Sequence, residues 1–355
     1  MHILITGICG FVGSSLAKEL LARGIASHIT GIDNFSRPGS ETNRRPLQDM
    51  GIRLIAGDIR NQSDIDALPP ADWVIDASAN PRVLAGVDNK TSSRQLVEHN
   101  LSGTINLLEY CKRHSAGFIL PSTSRVYSIP PLADLKMLEK DGAFMPDPGQ
   151  TFPAGISQAG ISESFSTLPP VSLYGSTKFA SEHLALEYGA TYEFPVWINR
   201  CSVMAGAGQF GDPTQGIFAF WIHSFHEQAP LEYIGFGGKG YQVRDCFHPN
   251  DLAVLIQKQI KEPFNTSKPK IINISGGVEN SMSLKQLTQW CCARFAPMDI
   301  ASTLEQRSFD IPWMVLDSKL ANAVWGWCPK IKIENILEEI ADFAESNNKW
   351  LELAK

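Results

Sequence analysis

The sequence predicts an α/β protein built on a doubly wound parallel sheet, with a smaller α/β lobe interleaved with it. Three observations lead there. Short apolar runs alternate with amphipathic stretches up to residue 201, a glycine-rich turn joins the first run to the first amphipathic stretch, and the alternation becomes irregular afterwards. Strand and helix patterns in alternation imply parallel strands covered on both faces by helices.

Strands are expected near 2–6, 27–33, 52–57, 72–76, 117–121 and 194–200, and helices near 11–23, 61–67, 93–114 and 174–189. Past residue 201 the order reads helix near 214–227, strand near 231–235, strand and helix over 243–262, strand near 270–274 and helix near 283–295. This ordering predicts a first domain of residues 1–201 plus about 241–262, and a second lobe of about 202–240 and 263–355. Residues 128–173 are rich in Pro, Gly and Ser and exceed an ordinary connection, so they are expected to line or cover the site as a wall or lid. No internal repeat is visible.

Composition excludes several roles. At 355 residues, with 43% hydrophobic and 19% charged content, the chain can bury a large core. A net charge of -6 and a pI near 5.8 leave no basic field for nucleic acid. No run of 18 apolar residues is present to span a bilayer. The N-terminus enters a strand, Ile3-Leu4-Ile5-Thr6, without signal-peptide features, and the seven cysteines form no metal-spaced pairs. Their odd number points to reduced thiols in the cytoplasm, with no metal and no membrane or nucleic-acid partner.

The turn Gly7-Ile8-Cys9-Gly10-Phe11-Val12-Gly13 follows a strand and opens a helix. Small residues there let backbone approach a pyrophosphate while the helix N-terminus faces its charge, as in a Rossmann dinucleotide site. Asp33 closes the second strand twenty residues after Gly13, where a carboxylate can accept both hydroxyls of an adenosine ribose and repel a 2′-phosphate. NAD is therefore expected over NADP, although Arg37 lies close enough to soften the preference. Asp58 and Ile59 end the third strand and can meet adenine; Asp58 can equally serve only to end that strand.

Tyr174 and Lys178, in Tyr174-Gly175-Ser176-Thr177-Lys178, share one helix face. An ammonium there can favour the phenolate and create a base for a hydroxyl proton, which is the chemistry of alcohol dehydrogenation.

In their order along the chain, the glycine turn, Ser122-Thr123-Ser124-Arg125-Val126-Tyr127, the Tyr-x-x-x-Lys pair and Arg244-Asp245 resemble the extended short-chain dehydrogenase/reductase family that modifies nucleotide sugars. That resemblance spans nearly the whole chain. It implies NAD as cofactor and a catalytic set of Thr123, Tyr174 and Lys178. Gly7, Gly10, Phe11, Val12, Gly13, Asp33, Asn34, Asp58, Ile59, Ala77, Ser78 and Ala79 would then meet the cofactor with Tyr174 and Lys178, and Asn100 would anchor the loop behind the nicotinamide side. The substrate, a nucleotide-diphospho-sugar, would meet Asn80, Ser124, Arg125, Gln209, Arg244 and Arg307, the last two at the diphosphate.

Within the family, the segments Ser122–Ser128, Gly206–Phe210 and Gly238–Asp245, with the long insert before Tyr174, are most similar to the CDP-paratose 2-epimerases, also called CDP-tyvelose epimerases. The implied reaction removes hydrogen from C2 of a CDP-dideoxyhexose, lets the 2-keto sugar turn, and returns the hydride to the other face, leaving NAD unconsumed. C4 epimerisation uses the same triad and stays open. A 4,6-dehydratase needs an acid and base pair where Ser124 and Arg125 stand; a reductase and a non-catalytic NAD sensor are further alternatives. Ser128 and Val203 depart from the common family pattern. Helices 93–114 and 174–189 are those that family members pair across a two-fold axis, which implies a homodimer or higher homo-oligomer.

Overall fold

The computed structural model describes residues 1–87, 92–305 and 307–353. The first strands, His2–Thr6 (β1), His28–Asp33 (β2), Arg53–Ala56 (β3), Trp73–Asp76 (β4) and Gly117–Thr123 (β5), fall where the apolar runs place them. With Val196–Cys201 and Ile271–Ile274 they form a seven-stranded sheet, ordered Ile271–Ile274, Val196–Cys201, β5, β4, β1, β2, β3, with every neighbouring pair parallel. The chain reverses direction across the sheet between β1 and β4. Such a switch point opens a crevice at the carboxyl ends of the strands, which is where ligands bind in sheets of this kind.

Both faces of the sheet are dry. Ile3, Ile5, Leu16, Leu20 and Ile75 pack on one face with Leu252, Ile256 and Trp325, while Leu4, Val74, Leu107, Leu108, Phe118 and Ile198 pack on the other. Helices Phe11–Ala22 and Pro249–Lys261 cover the first face. The second is covered by Gly103–His114 and Ser172–Tyr192. Among the described residues no helix is long and apolar enough to cross a membrane.

Two boundaries differ from expectation. Strand Val243–Phe247, expected with the first domain, pairs with Val203–Met204, Ser281–Ser283 and Trp313–Met314 in a separate small sheet. Strand Ile271–Ile274, expected in the lobe, adds instead to the edge of the large sheet. Short apolar strands look alike in sequence, and which edge is open is a tertiary fact. Lobe helices Ile217–His226, Leu284–Arg294 and Ile333–Ser346 enclose a third core around Trp221, Phe225 and Ile336.

The insert is also not the wall that its length suggested. Residues 129–161 contain a helical turn and two short hairpins. Leu132, Leu135, Ile156, Ile161 and Phe165 pack on Ile311, Trp313 and Leu316. Among the described residues none of 128–173 lines the cleft. Its apolar side chains are satisfied against the lobe, so the segment braces the lobe from outside the cleft.

Candidate active site

A cleft of about 490 Å³ opens at the carboxyl ends of the central strands. The turn after β1 forms one end: Gly10 N–H donates to Gly7 O at 3.0 Å, Ser14 N–H donates to Gly10 O at 2.9 Å, and the chain passes straight into helix Phe11–Ala22. A Cβ on Gly13 would lie 2.3 Å from Gly7 O and 2.7 Å from the Ile8 Cα, so only hydrogen permits this approach of helix to strand. No side chain caps this helix, and its N-terminal N–H groups remain available to an anion. Gly7, Gly10, Phe11, Val12 and Gly13 all border the cleft.

Asp33 stands beside that turn. Its Oδ2 accepts Cys9 N–H and its Oδ1 accepts Phe35 N–H, each at 2.8 Å. Burial raises its pKa and these backbone donors oppose the rise. Each oxygen retains a lone pair for a ligand hydroxyl. Asn34, Asp58 and Ile59 also border the cleft. Arg60 forks onto Asp58 at 2.9 and 2.6 Å while Asn34 Nδ2 donates to it at 2.9 Å, and these bonds hold the Asp58 carboxyl well below the usual carboxylate range. Arg37, the cation that tempered the preference for NAD, is already committed to Gln215 Oε1 at 3.1 Å, to Asp212 and to the Phe210 carbonyl.

Beyond β4, Ala77, Ser78 and Ala79 line the cleft, whereas Asn80 and Asn100 do not. This corrects the expectation of direct ligand contact for Asn80; for Asn100 the resemblance implies an anchor of the loop from behind. Asn100 is 1% exposed; its Oδ1 accepts Asn80 N–H at 2.7 Å and its Nδ2 donates to Asn80 O at 3.0 Å and Thr177 Oγ1 at 3.2 Å. It clamps the loop from behind. A wide π-turn over Glu98–Ser102 carries it, a local distortion common near functional sites that periodicity cannot reveal.

Thr123 ends β5, Tyr174 and Lys178 lie one turn apart on helix Ser172–Tyr192, and all three face the cleft with Ser124 and Arg125. Gly175 lets the helix press on the preceding loop, since a Cβ there would sit 2.1 Å from Arg125 O. Tyr174 is 8% exposed, and burial pushes its phenol up to about 12 against the Thr123 hydrogen bond and the Arg125 charge, which pull it down. Burial lowers Lys178, while Asp76 and Glu182 raise it.

Those carboxylates are themselves tied down. Asp76 accepts Thr6 Oγ1 and Thr104 Oγ1, both at 2.8 Å. Glu182, fully buried, accepts Ser122 Oγ and pairs with Arg200 Nη2 at 2.7 Å. Glu182 lies four residues after Lys178, so the spacing was readable; its partner on a neighbouring strand was not.

Gln209, Arg244 and Arg307 border the cleft as well, as does Val203. Arg244 pairs with Asp310 at 2.6 Å, and Arg307 donates to Pro213 O at 2.7 Å. Asp310 at the cleft, and Asp212 and Arg82 behind its lining, were missed because no motif marks them; each comes from a loop distant in sequence from the residue it pairs with.

Comparison with known proteins agrees with this geometry. The chain is 29% identical to the CDP-paratose 2-epimerase of Salmonella typhi, covering 98% of this chain and 100% of that one. It is 25% identical to the UDP-glucuronate 4-epimerase of Thermodesulfobacterium geofontis over 100% of this chain and 99% of that one. Its fold matches that of a dTDP-glucose 4,6-dehydratase from Streptomyces venezuelae, solved with NAD and TYD bound, at a TM-score of 0.79 and 22% identity over the whole of both chains. Residues 3–275, which carry the glycine turn, Thr123, Tyr174 and Lys178, match one family as a unit, and the chain thereby belongs to the NAD dependent epimerase/dehydratase family.

Proposed function

We propose that this protein is an NAD-dependent epimerase acting at C2 of a CDP-dideoxyhexose. One observation carries the reading: Thr123, Tyr174 and Lys178 line a single cleft together with the glycine turn, Asp33, Arg244 and Arg307. Full-length similarity to a CDP-paratose 2-epimerase supports the choice of carbon and nucleotide.

NAD, when bound, supplies a hydride acceptor that can return the hydride to the same sugar. The residues fit it: a helix N-terminus open to phosphate, a carboxylate at Asp33 with lone pairs to spare, and an Arg37 too engaged to welcome a 2′-phosphate. Tyr174 takes the proton of the sugar 2-hydroxyl, and Thr123 holds that hydroxyl against the phenol. Lys178 orients the nicotinamide ribose. Arg244 and Arg307 hold the diphosphate while the 2-keto sugar turns to present its other face for reduction, and Tyr174 then returns its proton to the C2 oxygen.

Epimerisation at C4 is the second reading, favoured by the similarity to a UDP-glucuronate 4-epimerase. Elimination of water is disfavoured because Ser124 and Arg125, where an acid and base would be needed, offer no carboxylate. We further propose a homodimer working in the cytoplasm, a setting that the seven unbridged thiols support.

The test has two stages. Denaturing the purified protein should release NAD, and thermal shift with CDP-, UDP-, GDP- and dTDP-sugars should single out one nucleotide by mass action. NMR of the selected sugar should show exchange between C2 isomers, abolished in Tyr174→Phe. Exchange at C4 alone would replace this reading by the second, and loss of water would replace both.

A further inference from the structure

The segment 209–216 leaves the lobe to border the cleft, where Gln209, Phe210, Pro213 and Gln215 share its lining with Asp33 and Ser36. It closes on itself in a tight turn: Asp212 N–H donates to Gln215 O at 2.8 Å, and Gln215 N–H donates back at 3.1 Å. Within that turn Asp212 Oδ1 accepts Thr214 N–H at 2.7 Å and Thr214 Oγ1 at 2.6 Å. Its Oδ2 faces the other way. It takes Arg37, which follows β2, at 3.4 Å, and Arg82, which follows β4, at 3.3 Å. One oxygen therefore ties together the loops that follow β2 and β4.

The strap is also fastened from outside. Trp350 stacks on Phe210 with ring centroids 5.0 Å apart and planes 17° apart, and its Nε1 donates to Gln209 O at 3.1 Å. Arg37 reaches the Phe210 carbonyl as well as Asp212. Isolated surface ion pairs hold little. Here the Asp212 side chain is 14% exposed, serves two guanidinium groups, and is preset by its own turn.

We propose that Asp212 is a positioning residue for the cofactor: its carboxylate latches segment 209–216 over the dinucleotide cleft and keeps the cofactor from leaving between the two halves of the reaction. The need for such a latch rests on the epimerase reading. An enzyme that oxidises a sugar and then reduces the same molecule is stranded if the cofactor escapes midway, whereas a dehydrogenase must release it each cycle.

The experiment compares wild type with Asp212→Asn, Asp212→Glu and Arg82→Gln, measuring NAD released on denaturation and the exchange of bound NAD for labelled NAD. Asp212→Asn should speed exchange about tenfold and lower the retained NAD, Arg82→Gln should fall between, and Asp212→Glu should recover much of the loss. Unchanged exchange in a folded Asp212→Asn overturns the proposal, as does equal exchange in Arg82→Gln should Asp212→Asn fail to fold. A wild type that carries no NAD would count against the epimerase reading instead; exchange of added NAD would still report on the latch by the same comparison.

Discussion

Loading the cofactor should bring the Tyr174 phenol down by several pKa units, and the size of that change follows from the site. Burial sets the phenol at about 12 even with Thr123 and Arg125 acting on it. At pH 8 that leaves a phenolate fraction of about 10⁻⁴, and half ionisation there would need a shift of about 4 units, or roughly 5 kcal/mol at about 1.4 kcal/mol per unit. The groups already present cannot supply it, because their pull is included in the starting value. The remainder has to come with the cofactor, whose oxidised ring is cationic, and from Lys178 engaging its ribose. The assay is a difference titration of phenolate absorbance, wild type minus Tyr174→Phe, with and without NAD. Without NAD no Tyr174 signal should emerge up to about pH 10, and with NAD a midpoint should appear units lower. Because the working form is deprotonated, kcat/KM should rise with pH through that midpoint and then level off. Identical midpoints with and without NAD would refute the argument, as would full activity of the phenylalanine variant.

Three other perturbations have clear expected outcomes. Glu182→Gln strands the buried Arg200 charge beneath the site and should cost about 3–5 kcal/mol in a denaturant melt, with the midpoint falling at unchanged slope. Gly13→Ala forces a methyl against Gly7 O and should cost about 1–3 kcal/mol of stability and weaken NAD binding, read by thermal shift and NAD release. Asn100→Ala frees the backbone of Asn80, costing about 1–3 kcal/mol for the orphaned groups, and should lower kcat while nucleotide-sugar affinity by thermal shift stays close to wild type.

What the sequence determined by itself is what local chemistry constrains. A strand entering a helix through Gly7, Gly10 and Gly13 has one economical geometry, Tyr174 and Lys178 four residues apart must share a helix face, and an apolar run ended by Asp33 must bring that carboxylate to the end of a strand. Those inferences needed no knowledge of neighbours. Other features depended on which partner each element found. Val243–Phe247 and Ile271–Ile274 exchanged sheets because short apolar strands are interchangeable until an edge is available. The insert turned its apolar residues to the lobe rather than the cleft, and a π-turn carries Asn100 to the backbone of Asn80. Asp212 reaches Arg37 and Arg82 across 175 and 130 residues of chain, a meeting that only long-range packing creates, because side chains so far apart in sequence carry no shared periodicity.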